Sequence, residues 1–112
     1  MPIFLSHSNL FGRAGIRAQL LTDQVGTTDG EWLGLEGFFP VSIELNGMNA
    51  DTLQIRGSNL PTQPLNTAHG FQLGVDITSD QLVVLLAPVR WIKVRVTAAG
   101  TGTINAYLEG RT

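Results

Sequence analysis

Hydrophobic residues recur at every second position along several short stretches of this chain. Val41, Ile43 and Leu45 alternate with Ser42 and Glu44, and Leu53 and Ile55 with Gln54 and Arg56. Phe71, Leu73, Val75 and Ile77 alternate with Gln72, Gly74 and Asp76. Ile92, Val94 and Val96 alternate with Trp91, Lys93, Arg95 and Thr97, and Ile104, Ala106 and Leu108 with Asn105, Tyr107 and Glu109. Side chains on a strand point to opposite faces in turn, so a period of two marks half-buried β-strands. The apolar member of each pair is expected in the core, including Phe71, Leu73 and Val75. Leu82-Val83-Val84-Leu85-Leu86 is apolar at every position. That run predicts a central strand covered on both faces, with Val84 and Leu86 buried.

Turn chemistry falls between these segments. Asn46-Gly47 closes one strand, Gly57-Ser58-Asn59 another, and Ala99-Gly100-Thr101-Gly102 separates the last two. Short strands with turn signals at roughly 8–12-residue spacing indicate a β-sandwich or barrel. Two packed antiparallel sheets of about six to eight strands follow, with almost no helix. Residues 13–21 are the one stretch where a helix competes, and Gly15 and the lack of a charged face argue against it. The polar connection 59–70, with Pro61 and Pro64, reads as an ordered loop crossing an end of the sandwich.

The first 17 residues differ. Ile3, Phe4, Leu5, Leu10 and Phe11 are apolar, but Ser6-His7-Ser8-Asn9 interrupts them and no clean alternation appears. We divide the chain into an extended N-terminal arm, 1–17, and one β-sandwich domain, 18–112. The arm is either a poorly ordered terminus or a segment lying on a neighbouring subunit. Leaving these five large apolar side chains in water costs roughly 25 cal/mol per Å² of apolar surface, which keeps the partner reading level with the other.

Length and composition narrow the function. A 112-residue, 12.1 kDa chain is one domain. Only 14% of residues are charged, so much of the surface is neutral and polar or covered by a partner. Lys93 is the sole lysine and there is no basic run, which leaves a nucleic-acid backbone without an electrostatic footprint. There is no cysteine, hence no disulfide or thiolate metal site. No stretch reaches 18 apolar residues, so no membrane span is expected. Met1-Pro2-Ile3-Phe4-Leu5 lacks the basic leader of a secretory signal.

Candidate chemistry is sparse. His7 and His69 lie far apart in polar loops, without second ligands at zinc spacing. Asp76 and Asp80 flank a turn that lacks the alternating ligands of a calcium loop, and a turn held by Ser and Asp side chains fits better. Gly100-Thr101-Gly102-Thr103 joins two strands rather than a strand and a helix, which disfavours a phosphate site. No nucleophile with its base is visible. The expectation is a protein that is not an enzyme and uses no cofactor or metal.

Two sets of residues are candidates for a partner interface. Trp91, Lys93, Arg95 and Tyr107 share the outward parity and would form an aromatic and basic face, of residue types enriched at protein contacts. The plainer alternative packs Trp91 and Tyr107 on one another at a sheet edge. Trp32, Leu33 and Leu35, in a glycine-rich stretch, either cap the core or form an apolar patch for a partner.

The C-terminal stretch Val89-Arg90-Trp91-Ile92-Lys93-Val94-Arg95-Val96-Thr97, followed by Gly102-Thr103-Ile104-Asn105-Ala106-Tyr107-Leu108-Glu109-Gly110, resembles small structural proteins of tailed bacteriophages. With the length, the absent cysteine and the Thr/Asn-rich polar positions, it is most similar to the jelly-roll capsid decoration, or cement, proteins of short-tailed phages. The detail lies in the last 22 residues. The resemblance implies a jelly-roll-like sandwich in the virion, assembled in the host cytoplasm and bound to the outer capsid surface. Its partner would be the major capsid protein, whose neighbouring copies it staples, and it would be a homo-oligomer on the capsid, touching neither nucleic acid nor membrane. Ile3, Phe4, Leu5, Phe11, Trp32, Leu33, Trp91, Arg95 and Tyr107 would supply the interface. A phage tail or baseplate module is an alternative. So is a carbohydrate-binding sandwich using Trp91 with Asn105, or Trp32 with Asp29.

Overall fold

The structure, a computed structural model, describes residues 3–10, 13–86 and 88–111. Its strands are β1 (Phe4–Leu10), β2 (Arg13–Gln24), β3 (Leu33–Gly34), β4 (Val41–Asn46), β5 (Thr52–Ser58), β6 (Phe71–Gln72), β7 (Gln81–Leu85), β8 (Trp91–Ala98) and β9 (Ile104–Arg111). They form a five-stranded sheet, β1-β2-β9-β4-β7, and a four-stranded sheet, β3-β8-β5-β6. Every pairing is antiparallel. We call them sheet A and sheet B. From β2 to β9 the chain changes sheet at every step except β5 to β6, and β8 and β9 lie in opposite sheets rather than in a hairpin. With β1 set aside, the facing orders β2-β9-β4-β7 and β3-β8-β5-β6 are the double Greek key of a jelly roll.

Alternation builds the core. Val41, Ile43 and Leu45 of β4, Leu53 and Ile55 of β5, Ile92, Val94 and Val96 of β8, and Ile104, Ala106 and Leu108 of β9 are all buried between the sheets. The Asn46-Gly47 turn has Gly47 at φ 87°, against the carbonyl of Thr103, where a Cβ would collide.

Several expectations are corrected. The division at residue 17 cuts through β2, which sits between β1 and β9 and sends Ile16 fully into the core. β2 carries its own alternation of Ile16, Ala18 and Leu20 against Arg17 and Gln19. Register shifts after Gln19 then bring Leu21 inward as well. Phe4 to Leu10 pair along their whole length with β2, and Ile3 is half-buried against the core. Phe11 lies outside the described residues.

β7 is not a central strand but the edge of sheet A. Pairing with β4 sets Val83 opposite the buried Ile43 and Leu85 opposite Val41, so these two turn inward. Leu82 and Val84 sit opposite the outward Glu44 and Ser42 and are 61% and 57% exposed; Leu86 is exposed too. Phe71 and Val75 are also exposed: β6 is the edge of sheet B, and the chain turns at Gly74 (φ 81°) before Val75. Leu73 is half-buried, and Ile77 bridges to Leu53 as a buried residue.

Candidate functional site

The outer face of sheet B is covered by the chain itself. Parity places Trp91, Lys93 and Arg95 there, as expected, but the loop 59–70 lies over Lys93 and runs beside Trp91. Lys93 is fully buried, and its ammonium donates to the carbonyls of Asn66 (2.8 Å) and Ala68 (2.7 Å). It also sits 4.8 Å from the centre of the Trp32 ring. The Trp32 indole N–H donates to Leu65 O (3.0 Å), and that of Trp91 to Leu60 O (2.9 Å). Arg56 donates to the carbonyls of His69 (2.7 Å) and Gly70 (3.2 Å). The sheet's polar and aromatic side chains thus satisfy the backbone carbonyls of a loop that has no ladder of its own. Burial pushes the Lys93 ammonium below its ordinary pKa, opposed by Asp29 and reinforced by Arg95 and Arg56. Burial, then the charges of Arg95 and Lys93, also lowers His69, whose buried Nδ1 has no hydrogen-bond partner.

The expected interface residues are therefore dispersed. Trp32 and Leu33 are buried, at 4% and 6% exposure. Arg95 pairs with Asp29 at 3.3 Å. Tyr107 is 44% exposed but stands on β9, in sheet A, so it neither joins Trp91 in a common face nor packs on it at an edge. Asn105 likewise belongs to sheet A, where it bonds Gln19 and Asp23.

Among the described residues, two surfaces stand out. The first is the edge where β6 and β7 end their sheets. The short connections β4–β5 and β8–β9 align the two strand orders, which places β6 and β7 on the same flank. Leu82, Val84 and Leu86, on and just after β7, are exposed, as are Phe71 of β6 and Val75 after it. β7 carries no charge and no proline, the devices that usually blunt an edge strand. The missed signal was the lack of charge across residues 81–86, which equally marks an outer row awaiting a partner. The second surface is a cleft of about 470 Å³ lined by Gly34, Glu36, Asn59, Pro61, Arg90 and Trp91, among others.

One end of the sandwich is fixed by buried Asp51. Its carboxylate accepts from the backbone N–H groups of Asn49 (2.9 Å), Gly100 (2.6 Å) and Gly102 (3.2 Å), tying the β4–β5 loop to the β8–β9 loop. These bonds hold its pKa below the usual carboxylate range against the opposing effect of burial. The glycines of Gly100-Thr101-Gly102 are needed for this approach, since a Cβ at Gly100 would strike Asn49 O and one at Gly102 the Asp51 carboxylate. Asp80 acts similarly, accepting from Gly47 N (3.1 Å) and Met48 N (2.8 Å). No family model matches the chain, and neither a curated protein nor a solved structure shows significant similarity to it.

Proposed function

We propose that this chain is a structural virion protein that attaches to the outer surface of a phage capsid and staples neighbouring major capsid proteins. The observation that carries the reading is the uncharged edge strand β7 with its exposed Leu82 and Val84, followed by exposed Leu86. The jelly-roll topology agrees with the family that the closing strands resemble. Fully covering one Leu, Val or Phe side chain is worth about 1.5–3 kcal/mol. An exposed ion pair such as Arg17–Glu109 on sheet A, at 3.5 Å and 59% and 44% exposed, contributes about 0–1 kcal/mol. Covering these side chains therefore contributes more than such an ion pair. A staple works by buried area repeated over a lattice, where many modest contacts add through effective concentration.

The test is co-sedimentation with empty capsids lacking the protein. Wild type binds in a fixed ratio to the capsid protein, and Leu82→Lys/Val84→Lys loses occupancy while melting like wild type. Full occupancy by the double variant, or no binding by wild type, rejects the reading. A few copies per particle would instead indicate a tail component.

A further inference from the structure

The cleft beside Trp91 is lined by none of the exposed apolar residues Phe71, Val75, Leu82, Val84 and Leu86. We propose that it is a carbohydrate-binding site that takes a single hexopyranose ring stacked on the Trp91 indole. Its volume, about 470 Å³, falls in the range of small-ligand pockets, roughly 300–1,000 Å³, and holds a sugar ring with room for a linked neighbour.

The platform is held rigidly. The indole N–H is committed to Leu60 O at 2.9 Å, which fixes the plane of the ring. Gly34, paired opposite Trp91 across β3 and β8, leaves space for the benzo ring; a Cβ there would stand 3.1 Å from it. A half-buried indole so fixed loses little freedom when a ligand stacks on it.

Polar groups line the same cleft. Asn59 accepts the Arg90 backbone N–H through Oδ1 at 2.9 Å, which orients its amide so that Nδ2 is the donor left over. The Arg90 side chain brings further donors. A pyranose presents an apolar C–H face for the indole and a rim of hydroxyls that both donate and accept. It therefore uses the aromatic, the amide and the guanidinium together. A proline-rich peptide needs a groove with several aromatic ridges, whereas among the described residues Trp91 alone is an aromatic lining this cleft. The pairing differs from the two suggested by sequence: Asn59 takes the place of Asn105, and Trp32 is buried under the loop.

The experiment is proton NMR of the intact protein with a panel of free hexoses, 6-deoxyhexoses, N-acetylhexosamines and their short oligomers, and with a decaproline peptide as a contrasting probe. At least one sugar should bind with a dissociation constant on the order of 1 mM. Its ring protons should move upfield, the mark of stacking on an indole, and the Trp91 indole signal should shift. Arg90→Ala, at an exposed position, should keep the wild-type melting temperature and weaken binding about tenfold or more. Trp91→Ala should abolish the upfield shifts. The proposal is overturned if no sugar shifts the Trp91 signal, if the upfield shifts survive Arg90→Ala undiminished, or if decaproline occupies the cleft and the sugars do not.

Discussion

The outer faces of the two sheets are finished in opposite ways. Sheet B is closed by its own chain. The loop 59–70 lies over Lys93 and beside Trp91, and the sheet's side chains hold its carbonyls. Sheet A has no such cover over β7, and Leu82, Val84 and Leu86 face water. The contrast teaches that the kind of residue on an outer face does not say whether it serves folding or binding. Trp32, Lys93 and Arg95, by type the better interface candidates, are spent on contacts within the chain. Trp91 stays half-buried at the rim of a cleft, and the plain aliphatic residues of β7 stay exposed.

Removing the covering of sheet B should have the largest effects. Trp32→Ala deletes a 4%-exposed ring and the bond to Leu65 O, and should cost about 3–5 kcal/mol in chemical denaturation. Lys93→Met keeps the stem but leaves the carbonyls of Asn66 and Ala68 without their donor, and should cost about 1–3 kcal/mol. A loss below about 0.5 kcal/mol, the norm for an open surface position, would mean that the loop does not cover the sheet. The pH dependence sharpens this. The pKa of Lys93 is lower folded than unfolded, so the unfolded chain binds more protons in the window between the two values. Wild type should therefore gain stability relative to Lys93→Met as pH rises through that window towards about 10.4.

Asp51 provides a control away from both faces. Asp51→Ala removes the acceptor of three backbone N–H groups and should cost about 2–3 kcal/mol. Its pKa is depressed in the fold. The stability it lends is therefore present above the unfolded value and is lost as pH falls below about 4 through the folded value. Acid titration of Asp51→Asn should show a shallower loss than wild type, and parallel curves would refute the assignment. The smallest effect belongs to the flank. Leu82→Lys/Val84→Lys should change the stability of the free protein by less than about 0.5 kcal/mol per site. A clear drop in melting temperature would show that β7 is covered within the chain.

Sequence reading succeeded where alternation carried its own contrast. Residues 41–45, 53–55, 92–96 and 104–108 place apolar residues inward and polar ones outward, and the structure follows them. It failed at β7, where both rows are apolar. A strand covered on both faces and an edge strand with a bare outer row then look alike. It failed at β2 because the bulge after Gln19 breaks the period just where Leu20 and Leu21 both enter the core. Lys93 was assigned to the correct face, yet its burial depends on carbonyls 25 and 27 residues away, which no local pattern encodes. The cleft was half legible. Trp91 stood out as a platform, but its companion Asn59 comes from the far end of β5 and is placed by the fold.

The most direct test of the contrast between the faces is hydrogen exchange of the protein free and bound to empty capsids. The account predicts new protection on binding across residues 71–86, with the loop 59–70 and β8 unchanged. Protection confined to 59–70 and 91–95, with 81–86 exchanging as in the free protein, would contradict it and make the covered face of sheet B the attachment surface.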